Sequence, residues 1–296
     1  MISVVIPTKN AGKDFEETLK SIRNQDVSEL EIIIIDSGSD DGTVELANEY
    51  ANSVITISPN EFHHGKTRNR AANQSKGDVI VFTVQDALPT DNRWLTKLVN
   101  PIKNGVADVC YGNQIANIDS KPPDRFFYQY FYPEIPITIT EKNTTNKPEF
   151  YIDNIFISDV NSAIARDVWN EFQFQDSVQM SEDKDFAYRV ASAGYTIRYC
   201  PEAKVYHSHD YSLLELFTRR YKDGKAFAKF APGESGGFVS EGIEYVVDEY
   251  SFLIHSGSIK WIPYCILYDL TYFVSFILGE KHGIIGEWIS YLRCDS

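Results

Sequence analysis

Apolar and polar positions alternate along the first hundred residues in two rhythms. Short runs with β-branched residues at Ile2–Ile6, Glu31–Asp36, Ser53–Ser58, Asp78–Thr83 and Ala107–Tyr111 read as strands. Between them, helical periodicity covers Phe15–Asn24, a segment starting near Asp41 with Ser39 or Asp40 as its cap, Lys66–Ser75, and Trp94–Lys103. Strands separated by helices imply βαβ units, hence an α/β fold with a mostly parallel sheet flanked by helices. Val79–Phe82 is apolar on both faces, as a central parallel strand is. Ile118–Pro148 breaks the rhythm with prolines, aromatics and the polar run EKNTTNK, and reads as a loop-rich, mobile excursion. A helix from Ser181, its cap, to about Ala193 is ended by Gly194. Two short strands, Thr196–Cys200 and Ala203–His207, come next. Beyond them Leu213–Phe230, Glu241–His255 and the apolar C-terminal stretch look helical. The expected division is an α/β domain over residues 1–211 and a helical region over 212–296.

Polar groups just past the carboxyl ends of such strands lie where open α/β sheets bind ligands. The central strand ends at Gln85 and Asp86. The next helix has its own expected cap in Thr90 or Asp91, so a capping role for Asp86 is the weaker reading. Pro7-Thr8-Lys9-Asn10 and Asp36 end the first two strands, where a carboxylate can accept from a base N–H or a ribose hydroxyl. A turn followed by a helix cap explains Asp36 equally well. Lys66 and Arg68 fall in the first turn of a helix, a poor place for cations unless an anion sits there. Asp185 and Arg189 are spaced to pair along a helix, while Glu182 and Asp183 occupy its first turn, where the dipole favours ionised carboxylates. Either acid suits proton abstraction from a hydroxyl, but acids at a helix start are common without function. His207 and His209 end a strand; neutral histidine suits a divalent metal shared with carboxylate, though a surface histidine needs no ligand.

Composition narrows the field. The chain has 296 residues, 43% hydrophobic, enough for a full core, and a net charge of −14, which argues against nucleic acid as a partner. Cys110, Cys200, Cys265 and Cys294 lack metal-type spacing and read as the reduced thiols of a cytoplasmic protein. Met1 runs directly into the first strand, and no signal peptide is expected. Ile259–Leu278 carries Lys260, Pro263 and Asp269, so it reads as a buried or interfacial helix rather than a span. Arg219, Arg220, Lys222, Lys225 and Lys229 make one cationic segment, suited to anionic head groups or to a solvated face. The stripe Trp261, Tyr264, Tyr268, Tyr272 and Phe276 suits a core, a homodimer or a membrane interface, with the core first.

FHHGKTRN, TVQDALP, SDVNSAI, SEDKDFAYRV and VYHSHDYS occur in this order. Together they resemble the family 2 glycosyltransferases of the GT-A fold over about Ile2–Ala226, and most of all bacterial rhamnosyltransferases of polysaccharide and O-antigen assembly. The resemblance implies a Rossmann-like sheet and an inverting transfer from a nucleotide-diphosphate sugar, dTDP-L-rhamnose, to a glycan or lipid-linked glycan. It implies work at the inner face of the cell membrane. It places donor binding on Pro7, Thr8, Asn10, Asp36, Arg68, Gln85 and Asp86, and catalysis on Asp183, the base, with Glu182. A divalent metal, Mg2+ or Mn2+, falls to Asp86 and His207. The family's Asp-x-Asp metal motif has lost its first acid here to Val84, which shifts weight onto His207, water and the donor's diphosphate. Another sugar nucleotide, such as a UDP-hexose, is an alternative donor. A sugar nucleotidyltransferase needs a more Gly-rich, basic first loop than Thr8–Gly12. A non-catalytic glycan-binding protein fits the degraded motif but not the intact Glu182-Asp183 pair.

Overall fold

A computed structural model describes residues 1–230 and 235–282. Two compact units emerge, residues 1–118, 131–146 and 153–208 in one and residues 119–130, 147–152 and 209–296 in the other. The division therefore departs from a single break at 211/212, because two short segments of the middle region group with the C-terminal helices.

The first unit is built on β1 (Ile2–Thr8), α1 (Phe15–Arg23), β2 (Leu30–Asp36), α2 (Thr43–Tyr50), β3 (Ser53–Thr56), α3 (His64–Ala72) and β4 (Val79–Thr83). β5 (Leu88–Pro89), α4 (Trp94–Lys103) and β6 (Val109–Ile115) follow. The sheet runs β3-β2-β1-β4 in parallel, as the alternation predicts. Beyond β4 it becomes mixed: β8 (Asn161–Ala165) enters antiparallel between β4 and β6, and β9 (Ile197–Tyr206) lies parallel to β6. β4 is buried along its whole length, as its unbroken apolar run requires.

β9 is one strand rather than two. Its pairing with β6 jumps from Gly112↔Cys200 to Asn113↔Lys204, and this bulge absorbs the Pro201-Glu202 interruption that suggests a break. Gly112 is required there, since a Cβ would lie 2.3 Å from Asn161 Nδ2 and 2.5 Å from the Ala203 carbonyl oxygen.

Several caps differ from expectation. Asp41, not Ser39 or Asp40, accepts the Thr43 N–H that opens α2. Ser39 instead turns back to Asp36. Arg93 precedes α4, and Asp91 accepts its N–H. α3 begins two residues early, at His64, because the His63 ring accepts from the Lys66 N–H. Ser181 stands before α8 (Glu182–Ser192) in the left-handed region, φ 63°, and makes no side-chain cap.

The 118–148 stretch is not a bare loop. It holds α5 (Pro122–Phe131) and β7 (Ile137–Ile139), which pairs with β9, before α6 (Lys147–Asp153). Its prolines mislead because Pro is tolerated in a first helical turn. The remaining helices are α7 (Arg166–Glu171), α9 (Leu213–Phe230), α10 (Ser235–His255) and α11 (Ile262–Glu280).

In the second unit Phe126 of α5 packs on Tyr245 and Phe252 of α10. α9 and α11 approach closely: a Cβ on Gly279 would lie 2.1 Å from the Tyr221 carbonyl oxygen. The stripe at 261–276 turns inward, with Phe276 buried and Arg220 stacked on Tyr272 at 4.8 Å. The exposed face of α11 is another one, Ile266, Leu267, Leu270, Val274 and Leu278. Among the described residues Ile259–Glu280 is the one helix long and apolar enough to cross a membrane by length and composition, with 28% of its apolar window buried. Cys110, Cys200 and Cys265 are buried free thiols, and Cys294 lies outside the described residues.

Candidate active site

The strand-end residues singled out in the first unit lie at one edge of the sheet. β1, β2, β4, β6 and β9 point the same way, so Thr8, Asp36, Thr83, Ile115 and Tyr206 end together. β8 runs oppositely, which brings its start to the same edge: Thr83 pairs with Asn161, and Thr83 Oγ1 donates to the Val160 carbonyl at 2.9 Å.

The donor-side residues form a braced loop system. Asp36 is fully buried, and its carboxylate accepts from Thr8 Oγ1 (2.9 Å), Gly38 N–H (2.9 Å), Ser39 N–H (2.8 Å) and Ser39 Oγ. Both oxygens are engaged, and Asp36 braces the turn between β2 and α2. Gln85 clasps the backbone of Lys9, accepting its N–H at 2.8 Å and donating to its carbonyl at 3.2 Å. Asn10, at φ 45°, accepts the Asp40 N–H at 3.1 Å, and its own N–H donates to Ser39 Oγ. Pro7 lies within β1, opposite Ile35 of β2.

Past this loop Val84 packs on the hydrophobic core, so the position of the missing acid is spent on packing. Asp86 is exposed, and its Oδ1 lies 3.9 Å from His207 Nε2. Asp86 is two residues before β5, and His207 directly follows β9. The pairing Leu88↔Tyr206 is what brings the two together. His207 is buried, and its Nδ1 is 2.8 Å from Gln114 Oε1. Carboxylate oxygen with imidazole nitrogen is a donor set that suits a divalent cation such as Mn2+. One ligand is solvent-open and the other is braced from behind.

The third part is a buried acid cluster. Arg68 is not an exposed first-turn cation. It reaches from α3 to Glu182 (Nη1–Oε1 3.2 Å) and Asp159 (Nε–Oδ2 3.7 Å), all three buried. Those acids flank its guanidinium. Lys66 pairs with Asp176 at 3.6 Å, and the expected Asp185–Arg189 pair forms at 2.8 Å. Asp183 accepts from the Lys184 N–H at 2.8 Å and the Asp159 N–H at 3.4 Å.

The helix start does not hold Asp183 in the ordinary ionised range. Burial, then the neighbouring Glu182 charge, pushes its carboxyl up. Burial raises Asp159 further, against the pull of Arg68. Sequence reasoning missed Asp159 and Gln114. Asp159 stands in a quoted motif but shows no periodicity, while a glutamine inside a buried strand is a signal that could have exposed Gln114.

The glycosyl transferase family 2 model matches residues 3–171, and the glycosyl transferase family group 2 model matches residues 150–279. The O-antigen chain rhamnosyltransferase RfbN of Salmonella typhimurium is 32% identical over 94% of this chain and 89% of its own length. WbaN of Salmonella anatum, also described as an O-antigen chain rhamnosyltransferase, matches to the same extent. Among solved structures, the mannosyltransferase PcManGT of Pyrobaculum calidifontis, in complex with GDP-Man and Mn2+, aligns with TM-score 0.62. That alignment has 18% identity and covers 94% of this chain and 86% of that one. S. aureus TarS 1–349 with UDP-GlcNAc aligns at TM-score 0.57 and 18% identity, covering 96% and 92%. The fold is the expected GT-A one.

Proposed function

Because this chain belongs to glycosyl transferase family 2, we propose that it is an inverting rhamnosyltransferase. It moves L-rhamnose from dTDP-L-rhamnose to a hydroxyl of a growing, lipid-linked polysaccharide. The observation that carries this is the 32% identity, over nearly the whole chain, to two O-antigen chain rhamnosyltransferases. The convergence of Asp86, His207 and Asp183 on one sheet edge supports it.

Asp183 takes the proton of the acceptor hydroxyl. The oxygen attacks the anomeric carbon, the bond to the diphosphate breaks, and the nucleoside diphosphate leaves from the opposite face. Glu182 is engaged with Arg68, so the base role falls to Asp183 alone, with Glu182 holding the cluster in place. Asp86 and His207 would hold a divalent cation, Mn2+ or Mg2+, which would offset charge on the leaving diphosphate. Thr8, Asn10, Asp36 and Gln85 shape the loop that takes the nucleotide beside Pro7, and Arg68 stands behind the diphosphate.

Buried free thiols agree with a cytoplasmic enzyme. A lipid-linked acceptor places it at the inner membrane face. The exposed Arg219, Lys222, Lys225 and Lys229 and the apolar face of α11 offer surface for a membrane or a second copy. Vesicle flotation and sedimentation separate those two.

The deciding experiment is transfer and hydrolysis on a panel of nucleotide sugars, with and without Mn2+. Turnover of dTDP-L-rhamnose alone supports the proposal. Preference for a UDP-hexose replaces the sugar, and binding of every donor without turnover replaces the enzyme with a binding protein.

A further inference from the structure

We propose that Gln114 is a positioning residue for the candidate metal site, acting through His207. This rests on the reading that Asp86 and His207 take a divalent cation. An imidazole offers a lone pair on one nitrogen when the other carries the proton, and the partner of the second nitrogen decides which. Gln114 Oε1 lies 2.8 Å from His207 Nδ1, and a carbonyl oxygen can only accept. Nδ1 therefore bears the proton, and Nε2 keeps the lone pair. Nε2 is the nitrogen 3.9 Å from Asp86.

The amide is itself held in that orientation. Its Nε2 donates to the Tyr132 hydroxyl oxygen at 2.7 Å while its oxygen faces the histidine. Gln114, His207 and Tyr132 are 3%, 5% and 6% exposed, so water does not replace these bonds freely. The backbone sets the register: Gln114 pairs with Val205, and the His207 N–H donates to the Ile115 carbonyl at 3.0 Å. A buried amide in a strand is costly unless bonded. Here both ends are bonded, and one of the bonds presets a ligand.

The test uses the full chain. Long-range 15N correlation on histidine-labelled protein is expected to show neutral His207 as the Nδ1–H tautomer. The Nε2–H tautomer overturns the proposal. Mn2+ alone is then titrated and followed by electron paramagnetic resonance. Gln114→Leu is expected to weaken Mn2+ binding about 10–100-fold, and Gln114→Glu, whose carboxylate still accepts from Nδ1–H, to restore it. Unchanged affinity in Gln114→Leu overturns the role of Gln114. An unaltered protein that takes up no Mn2+ overturns the metal reading itself, which separates the two failures. If Gln114→Leu does not fold, Tyr132→Phe, which frees the amide to flip, and the tautomer of the unaltered protein decide.

Discussion

Arg68 Nη1 lies 3.2 Å from Glu182 Oε1, and both side chains are buried. The pair ties α3 to the first turn of α8 across 114 residues of chain. It also fixes the start of the helix that carries Asp183.

Removing Arg68 leaves Glu182 buried without its cation, and removing Glu182 leaves Arg68 with only its longer contact to Asp159. Arg68→Met and Glu182→Leu are each expected to cost about 3–5 kcal/mol of stability, read by denaturant unfolding. The double variant should lose less than the sum. Additive losses would mean that the two side chains do not act as a pair.

Asp183→Asn is expected to lower turnover by about 10²–10⁴-fold while sparing donor binding. In the parent enzyme the basic form of Asp183 exists only above its raised pKa. Activity should therefore fall as pH drops through a value above the ordinary carboxylate range. A rate–pH profile flat to pH 4 would remove Asp183 from the base role.

Asp86→Ala and His207→Ala each delete one donor from the Asp86–His207 set. Donor affinity measured calorimetrically in Mn2+ should fall at least about tenfold in each, and a chelator should lower it in the parent. Donor affinity that is indifferent to metal in the parent would refute the role of both residues.

Glu249 is fully buried, and burial followed by the Asp269 charge pushes its carboxyl up to about 8. The fold thus favours the neutral acid. Its contribution is fully present below the ordinary carboxylate range and is lost as pH rises through about 8. Thermal stability should decline between about pH 5 and 8, the range in which the folded chain keeps a proton that the unfolded chain has released, and Glu249→Gln should flatten that decline by keeping the site neutral. An identical decline in the variant would assign the loss to other groups.

Gly112→Ala should be strongly destabilising, because the added carbon meets Asn161 and the Ala203 backbone where β6, β8 and β9 crowd. Thermal unfolding measures it, and a melting temperature within a degree of the parent would contradict the close approach.

Much of this was legible in the chain itself. The βαβ rhythm placed β1 to β4, because a parallel strand buried on both faces must be apolar throughout. Asp86 and His207 stood out as polar residues at strand ends. Asp36 reads equally as turn or ligand in the sequence, and the structure adds four hydrogen bonds by which it braces the turn. Asp159 and Gln114 were passed over because each matters only through a neighbour distant in sequence.

The amino-acid sequence alone determined the order of elements and the residues able to carry charge, protons or a metal, since periodicity and side-chain chemistry are local. Tertiary structure decided which of them meet. The reversed entry of β8 put Asp159 beside Arg68 and Asp183. The Leu88↔Tyr206 pairing set His207 next to Asp86. Burial then shifted proton affinity, pushing the Asp183 carboxyl up against the pull of the helix start. Those outcomes depend on desolvation and on long-range register, and neither is written in the spacing of neighbours along the chain.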